Sequence, residues 1–161
     1  MDNTHPMDLP LFRDDYRSEI KPYSIQIPQI KSGTEYYFET GSGLRYQVMF
    51  ARKKRSYLEN IVNFSVLCEE FEDEYSETNR GEIYRVIATV VEIIRIYHAN
   101  HAYSSSYEFS GEFKQGEESR ETSIRTLLYY RKAKEIMNPF WKTEISGNRV
   151  IVHRKKRQQT G

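Results

Sequence analysis

The segment from Asn79 to Tyr97 limits this chain most. Asn79-Arg80-Gly81-Glu82 has the form of an Asn cap with a glutamate at the third helical position, whose carboxylate can reach back to the cap. Behind it, Ile83, Val86, Ile87, Val90, Val91, Ile93, Ile94 and Ile96 leave a polar stripe of Glu82, Arg85, Thr89 and Glu92. An ordinary surface helix is apolar on about a third of its circumference. A helix over 83–97 with more than half its surface apolar must be covered on more than one side, by a sheet plus a second helix or a partner subunit. Its β-branched residues cost helix propensity, so packing has to compensate.

The flanking pattern supplies the sheet. Tyr36–Glu39 and Leu44–Ala51 are separated by Thr40-Gly41-Ser42-Gly43, and the second run alternates apolar and polar residues, as a half-buried hairpin does. A strand is predicted over Ile61–Cys68, another over Ser106–Phe113, and a last hairpin over Trp141–Ile145 and Arg149–His153 around Ser146-Gly147-Asn148. A second helix is predicted from about Arg120, capped by Ser119, to Met137 before Asn138-Pro139. The order β-β-β-α-β-α-β-β predicts an α+β fold. Its sheet is mostly antiparallel, with about five to six strands and two helices packed on one face.

Residues 1–33 hold four of the five prolines and scattered hydrophobics, so they predict an extended N-terminal arm able to dock through Ile25, Ile27 and Ile30. Residues 34–153 form the single domain, and 154–161 a mobile basic tail. The acidic run Glu69–Glu77 lacks the alternating oxygen ligands and glycine of a calcium loop and predicts a solvated loop. With no run of 18 apolar residues, a cytoplasmic protein without membrane contact is expected. One cysteine, Cys68, excludes an internal disulfide.

No phosphate loop, nucleophile elbow, zinc-protease helix or paired-cysteine motif is present, so no cofactor and no catalytic residue is assigned. His98 and His101 have the i, i+3 spacing of metal ligands, but a third and fourth ligand are lacking and no metal is assigned. On the second helix Arg120, Arg131 and Lys134 continue the apolar stripe of Ile124, Leu127 and Leu128, with Arg125 and Tyr129 nearby. These arginines either bury their stems and pair with Glu108, Glu112 or Glu135, or bind an external anion or partner. If the chain were an enzyme, Arg120, Arg125 and Arg131 would clamp an anionic substrate with Glu108 or Glu112 as base.

Two basic clusters remain: Arg52, Lys53, Lys54, Arg55, and His153 with Arg154, Lys155, Lys156, Arg157. Beside Tyr36, Tyr37, Tyr129, Tyr130 and Trp141 they suit a nucleic-acid surface of cations and stacking rings. The net charge of +1 equally suits a solubilising turn and tail. The leading expectation is a small non-enzymatic binding protein that self-associates through helix 83–97, with a protein partner or a second copy. Nucleic-acid binding is the alternative.

The pattern Tyr36-x-Phe38-x-Thr40, Gly43-x-x-Tyr46-x-Val48-x-Phe50, Phe64, Thr78-Asn79-x-Gly81-Glu82-x-Tyr84-x-Val86-x-x-Thr89-Val90, Tyr107-x-Phe109 and Arg125-x-x-Leu128-Tyr129 resembles small uncharacterised proteins encoded by bacteria and their bacteriophages. The likeness spans roughly residues 36–134. It implies a shared α+β body and a phage or mobile-element setting. It carries over no catalytic residue, since that family has no established activity, and singles out Arg125 for mutation.

Overall fold

The computed structural model describes residues 11–13, 20–67, 80–111 and 116–155. Cys68, the acidic run 69–77, the Asn79 cap, Glu112, Lys156 and Arg157 lie outside the described residues.

The α+β class is observed. Strands β1 (Ile25–Gln26), β2 (Glu35–Glu39), β3 (Arg45–Lys53), β4 (Ser56–Val66), β5 (Ser106–Phe109), β6 (Trp141–Ser146) and β7 (Arg149–Arg154) form one sheet, in the order β1-β2-β3-β4-β5-β7-β6. The helices among the described residues are α1 (Arg80–Asn100) and α2 (Ile124–Ile136).

The sheet departs from the sequence expectation in two ways. Among the described residues it has seven strands rather than five to six, and it is mixed, because β4 and β5 run parallel. A parallel neighbour needs a crossover, and α1, lying between β4 and β5 in sequence, makes it. The unforeseen strand is β1, whose two residues are too few to carry an alternation. Nor do the helices form one clear layer. Tyr97 of α1 stacks on Phe50 with ring centroids 3.8 Å apart. Helix α2 lies against β6 and β7 and sets Tyr129 against Phe64, 5.0 Å between ring centroids.

Local chemistry explains the turns. Gly43 (φ 87°) and Gly147 (φ 57°) take the left-handed conformation that the β2–β3 and β6–β7 hairpins require. The β2–β3 turn is also tied to the start of α1, because Ser42 Oγ donates to Glu82 Oε1 at 2.7 Å. Helix α2 begins at Ile124, capped by Ser123 rather than Ser119: Ser123 Oγ accepts from Thr126 N at 3.0 Å. Ser123 wins because its own N–H donates to Asn148 Oδ1 at 2.8 Å, while its hydroxyl donates to Gly111 O at 3.0 Å.

The apolar girth of α1 is covered by the chain itself. One flank meets the sheet through Tyr97, beside Phe50 and Tyr107. The N-terminal arm crosses another. Tyr23 N–H donates to Thr89 Oγ1 at 2.9 Å, Arg85 Nε donates to Lys21 O at 2.9 Å, and the Arg85 guanidinium lies 4.0 Å from the Tyr23 ring centroid. Part of the polar stripe is therefore the seat of the arm. Further upstream, Arg13 N–H donates to Ile136 O and Asn138 N–H to Leu11 O, so Leu11 and Phe12 are buried where α1, α2, β5 and β7 meet. The residues that dock are Leu11, Phe12, Tyr23 and Ile25; Ile27 and Ile30 are exposed.

Candidate functional site

The order β4-β5-β7-β6 brings the two basic clusters to one end of the sheet. Ser105 N–H donates to Leu58 O at 2.7 Å, Arg154 N–H to Ser105 O at 3.1 Å, and Lys155 N–H to Phe140 O at 2.9 Å. This ladder sets the start of β4, next to the Lys54–Arg55 turn, in line with the end of β7 and the start of β6. The loop between α1 and β5 sits between the clusters and is held from both sides. Arg52 Nη2 donates to Tyr103 Oη at 2.5 Å, and Arg154 Nη2 donates to Ala102 O at 2.5 Å. The Arg154 guanidinium also covers the Trp141 ring, 5.2 Å from its centroid.

The cations divide by task. Arg52 and Arg154 hold the loop. Lys53 Nζ pairs with Glu108 Oε2 at 2.8 Å. Lys142 and His153 both reach Glu144, at 2.7 Å and 3.2 Å. Lys54, Arg55 and Lys155 are exposed and make no ion pair with any described residue. Large rings stand open beside them: Tyr57 is 70% exposed and Phe140 59%. Neither ring was singled out in the sequence, although Tyr57 lies two residues after the basic turn. Of the rings that were, Tyr36, Tyr129 and Trp141 are buried in the core.

The arginines of α2 do not act as one clamp. Arg125 is 7% exposed and lies over Gly111, while Arg131 is exposed. Six residues on a helix place these two about 120° apart around the axis. Arg120 precedes the helix in an exposed turn, where its Nε donates to Thr122 O at 3.1 Å. Tyr129 is a core ring between Phe64 and Phe109.

Glu108 faces away from all of them. Its neighbours Tyr107 and Phe109 point to the helices, and successive strand residues alternate. Its carboxylate takes Lys53 on one oxygen and Arg149 Nη1, at 3.0 Å, on the other. Burial works to raise its pKa, but the hydrogen bonds from Lys53 and Arg149 outweigh it and the net shift is downward. A carboxylate held this firmly in its ionised form is a structural anchor and a poor proton acceptor.

The histidines at the end of α1 are core groups. His98 Nδ1 lies 2.7 Å from Tyr107 Oη, and His101 Nδ1 lies 2.9 Å from Tyr97 O. Burial, with Arg154 and His101 nearby, lowers the His98 pKa from 6.5 to about 4. Folded His98 therefore stays neutral where the unfolded chain would take up a proton. The stability this gives is fully present above pH 6.5 and is lost as pH falls towards 4. The expected loss is about 2 kcal/mol between pH 7 and pH 5. Urea unfolding at these two pH values should show it, and His98→Gln should flatten the dependence. An unchanged pH dependence in the variant contradicts this placement.

Among the described residues, no group of three or more His, Cys, Asp or Glu is arranged to hold a metal, and no helix is long and apolar enough to cross a membrane. No family model matches the chain, and neither the curated proteins nor the solved structures include a match.

Proposed function

We propose that the protein is a non-enzymatic nucleic-acid-binding protein whose contact surface is the basic end of the sheet. What supports this reading is the convergence of the 52–55 turn and the start of the basic tail on one loop, with Lys54, Arg55 and Lys155 left facing solvent. A chain of net charge +1 attracts a polyanion only through such a local concentration of charge. A cytoplasmic setting, including that of a phage or mobile element, goes with this role.

Self-association through α1 has less behind it. Most of the wide apolar surface that suggested a partner subunit is buried within the chain itself, Val86, Ile87, Val90, Val91, Ile93 and Ile94 among it. A partner that is itself a protein remains compatible with the same basic end if its surface is acidic.

The test is binding of fluorescently labelled oligonucleotides followed by anisotropy. Three phosphate contacts give a slope of log K against log salt of about −2 for a single strand. The variant carrying Lys54→Glu and Arg55→Glu is expected to lose at least about tenfold in affinity at low salt. No binding by the unaltered protein at low salt, or equal binding by the variant, overturns the reading.

A further inference from the structure

We infer that the nucleic acid taken at this end is single-stranded, and that Tyr57 and Phe140 are the platforms on which its bases stack. This inference rests on the nucleic-acid reading and adds the substrate class.

A single exposed ring on a protein surface is ordinary. Here two of the most exposed apolar side chains flank the same three cations, which make no ion pair with any described residue. Tyr57 is the second residue of β4, two residues after Arg55, and Phe140 shares a backbone hydrogen bond with Lys155. Phe140 is also held in place: its N–H donates to Asn138 Oδ1 at 3.0 Å and Trp141 N–H to Asn138 O at 2.9 Å, so an Asx turn presents the ring. Three strand spacings, about 14 Å, separate the backbones of β4 and β6 at this level. That span suits a short run of nucleotides, with the phosphates along the Lys54–Arg55 turn and Lys155 and a base on each ring.

Duplexes hide the faces of their bases, whereas single strands offer them. The major groove of a duplex is read by a helix or a β-ribbon that enters it. Both helices here are bound into the core: Ile93 and Tyr97 of α1 and Tyr129 and Ile136 of α2 are buried. Among the described residues, the basic end therefore has the parts that grip exposed bases and backbone, and it is made of strand ends, a turn and a loop rather than of either helix. Stacking is tolerant of base identity, so little sequence preference is expected.

The experiment compares a labelled single strand of about 12 nucleotides with a hairpin duplex of similar length, for the unaltered protein and for the double variant Tyr57→Ala, Phe140→Ala. Both residues are exposed, so the variant should fold, which its circular dichroism and Tm verify. The expected result is tighter binding of the single strand, reduced about 10- to 100-fold in the variant, with the weak duplex binding unchanged. Equal affinity for both forms, or an unaffected variant, overturns the stacking inference while leaving nucleic-acid binding intact. Absence of binding to either form overturns both.

Discussion

Replacing Gly111 by alanine is expected to lower stability by about 3 kcal/mol, a fall in Tm of roughly 10 °C for a chain of this size. The new Cβ would stand 2.4 Å from Arg125 Cγ, 2.6 Å from its Cβ and 2.8 Å from its Cδ. These atoms are the root of a buried side chain on the first turn of α2, so the arginine cannot swing clear as a surface residue would. The backbone of Gly111 cannot retreat either. Its carbonyl accepts from Ser123 Oγ at 3.0 Å and Asn148 Nδ2 at 2.9 Å, and its N–H donates to Thr126 Oγ1 at 2.8 Å. Either the helix start shifts or this network opens, and each costs more than a surface change. Ser110→Ala, one residue earlier and exposed, should stay within about 0.5 kcal/mol. Adding Arg125→Ala to Gly111→Ala should recover part of the loss, because the pair is in direct contact. A thermal melt of Gly111→Ala that matches the unaltered protein contradicts the packing described.

Phe12→Ala carries the second large effect. Phe12 is buried with Leu11, and its strand-like pairing with Met137 joins the arm to the end of α2. Truncating a buried phenylalanine costs about 3–5 kcal/mol when the surroundings must stay in place. Phe12 belongs to no strand of the sheet and makes an isolated bridge to Met137, so its segment can open locally and the cost is capped by the free energy of its docking. A loss of about 3 kcal/mol is expected, with local opening as its signature. The amides of Arg13 and Asn138, which donate to Ile136 O and Leu11 O, should exchange with solvent much faster, while those of β3 and β4 keep their protection. With the arm released, part of α1 and α2 becomes an open apolar surface, so weak self-association of the variant should appear by light scattering. Unchanged exchange at Arg13 and Asn138 would show that the arm does not hold the helices in this way.

The features legible in the sequence are those set by neighbours along the chain. The β2–β3 and β6–β7 hairpins follow from Gly43 and Gly147 and from the alternation around them. Helix α1 follows from the periodicity of its apolar residues, and the sequence also says that it must be covered. How the arm helps to cover it was not legible. Leu11 and Phe12 are buried beside it and Tyr23 N–H donates to Thr89 Oγ1, contacts that no local pattern encodes. The same holds for the start of α2. Ser119 and Ser123 both look like caps, and the choice is made by Asn148 and Gly111, which the fold brings together. The parallel pairing of β4 and β5 depends on where α1 returns the chain.

The candidate site was half visible for the same reason. Its charges were apparent as two separate basic clusters. Their meeting depends on β7 lying between β5 and β6, and the value of each cation depends on partners such as Glu108 for Lys53 and Ala102 for Arg154. The arginines of α2 stood out more strongly in the sequence, yet one is a buried packing residue and the others point elsewhere.

The central claim is that the basic end of the sheet takes up nucleic acid. The most direct measurement is an amide chemical-shift map of the full chain during titration with a short single strand at low salt. The account predicts shifts concentrated at residues 52–58, 101–105, 140–142 and 153–155, with the exposed residues of α2 around Arg131 unaffected. Shifts confined to α2, or no shifts at all, would contradict it.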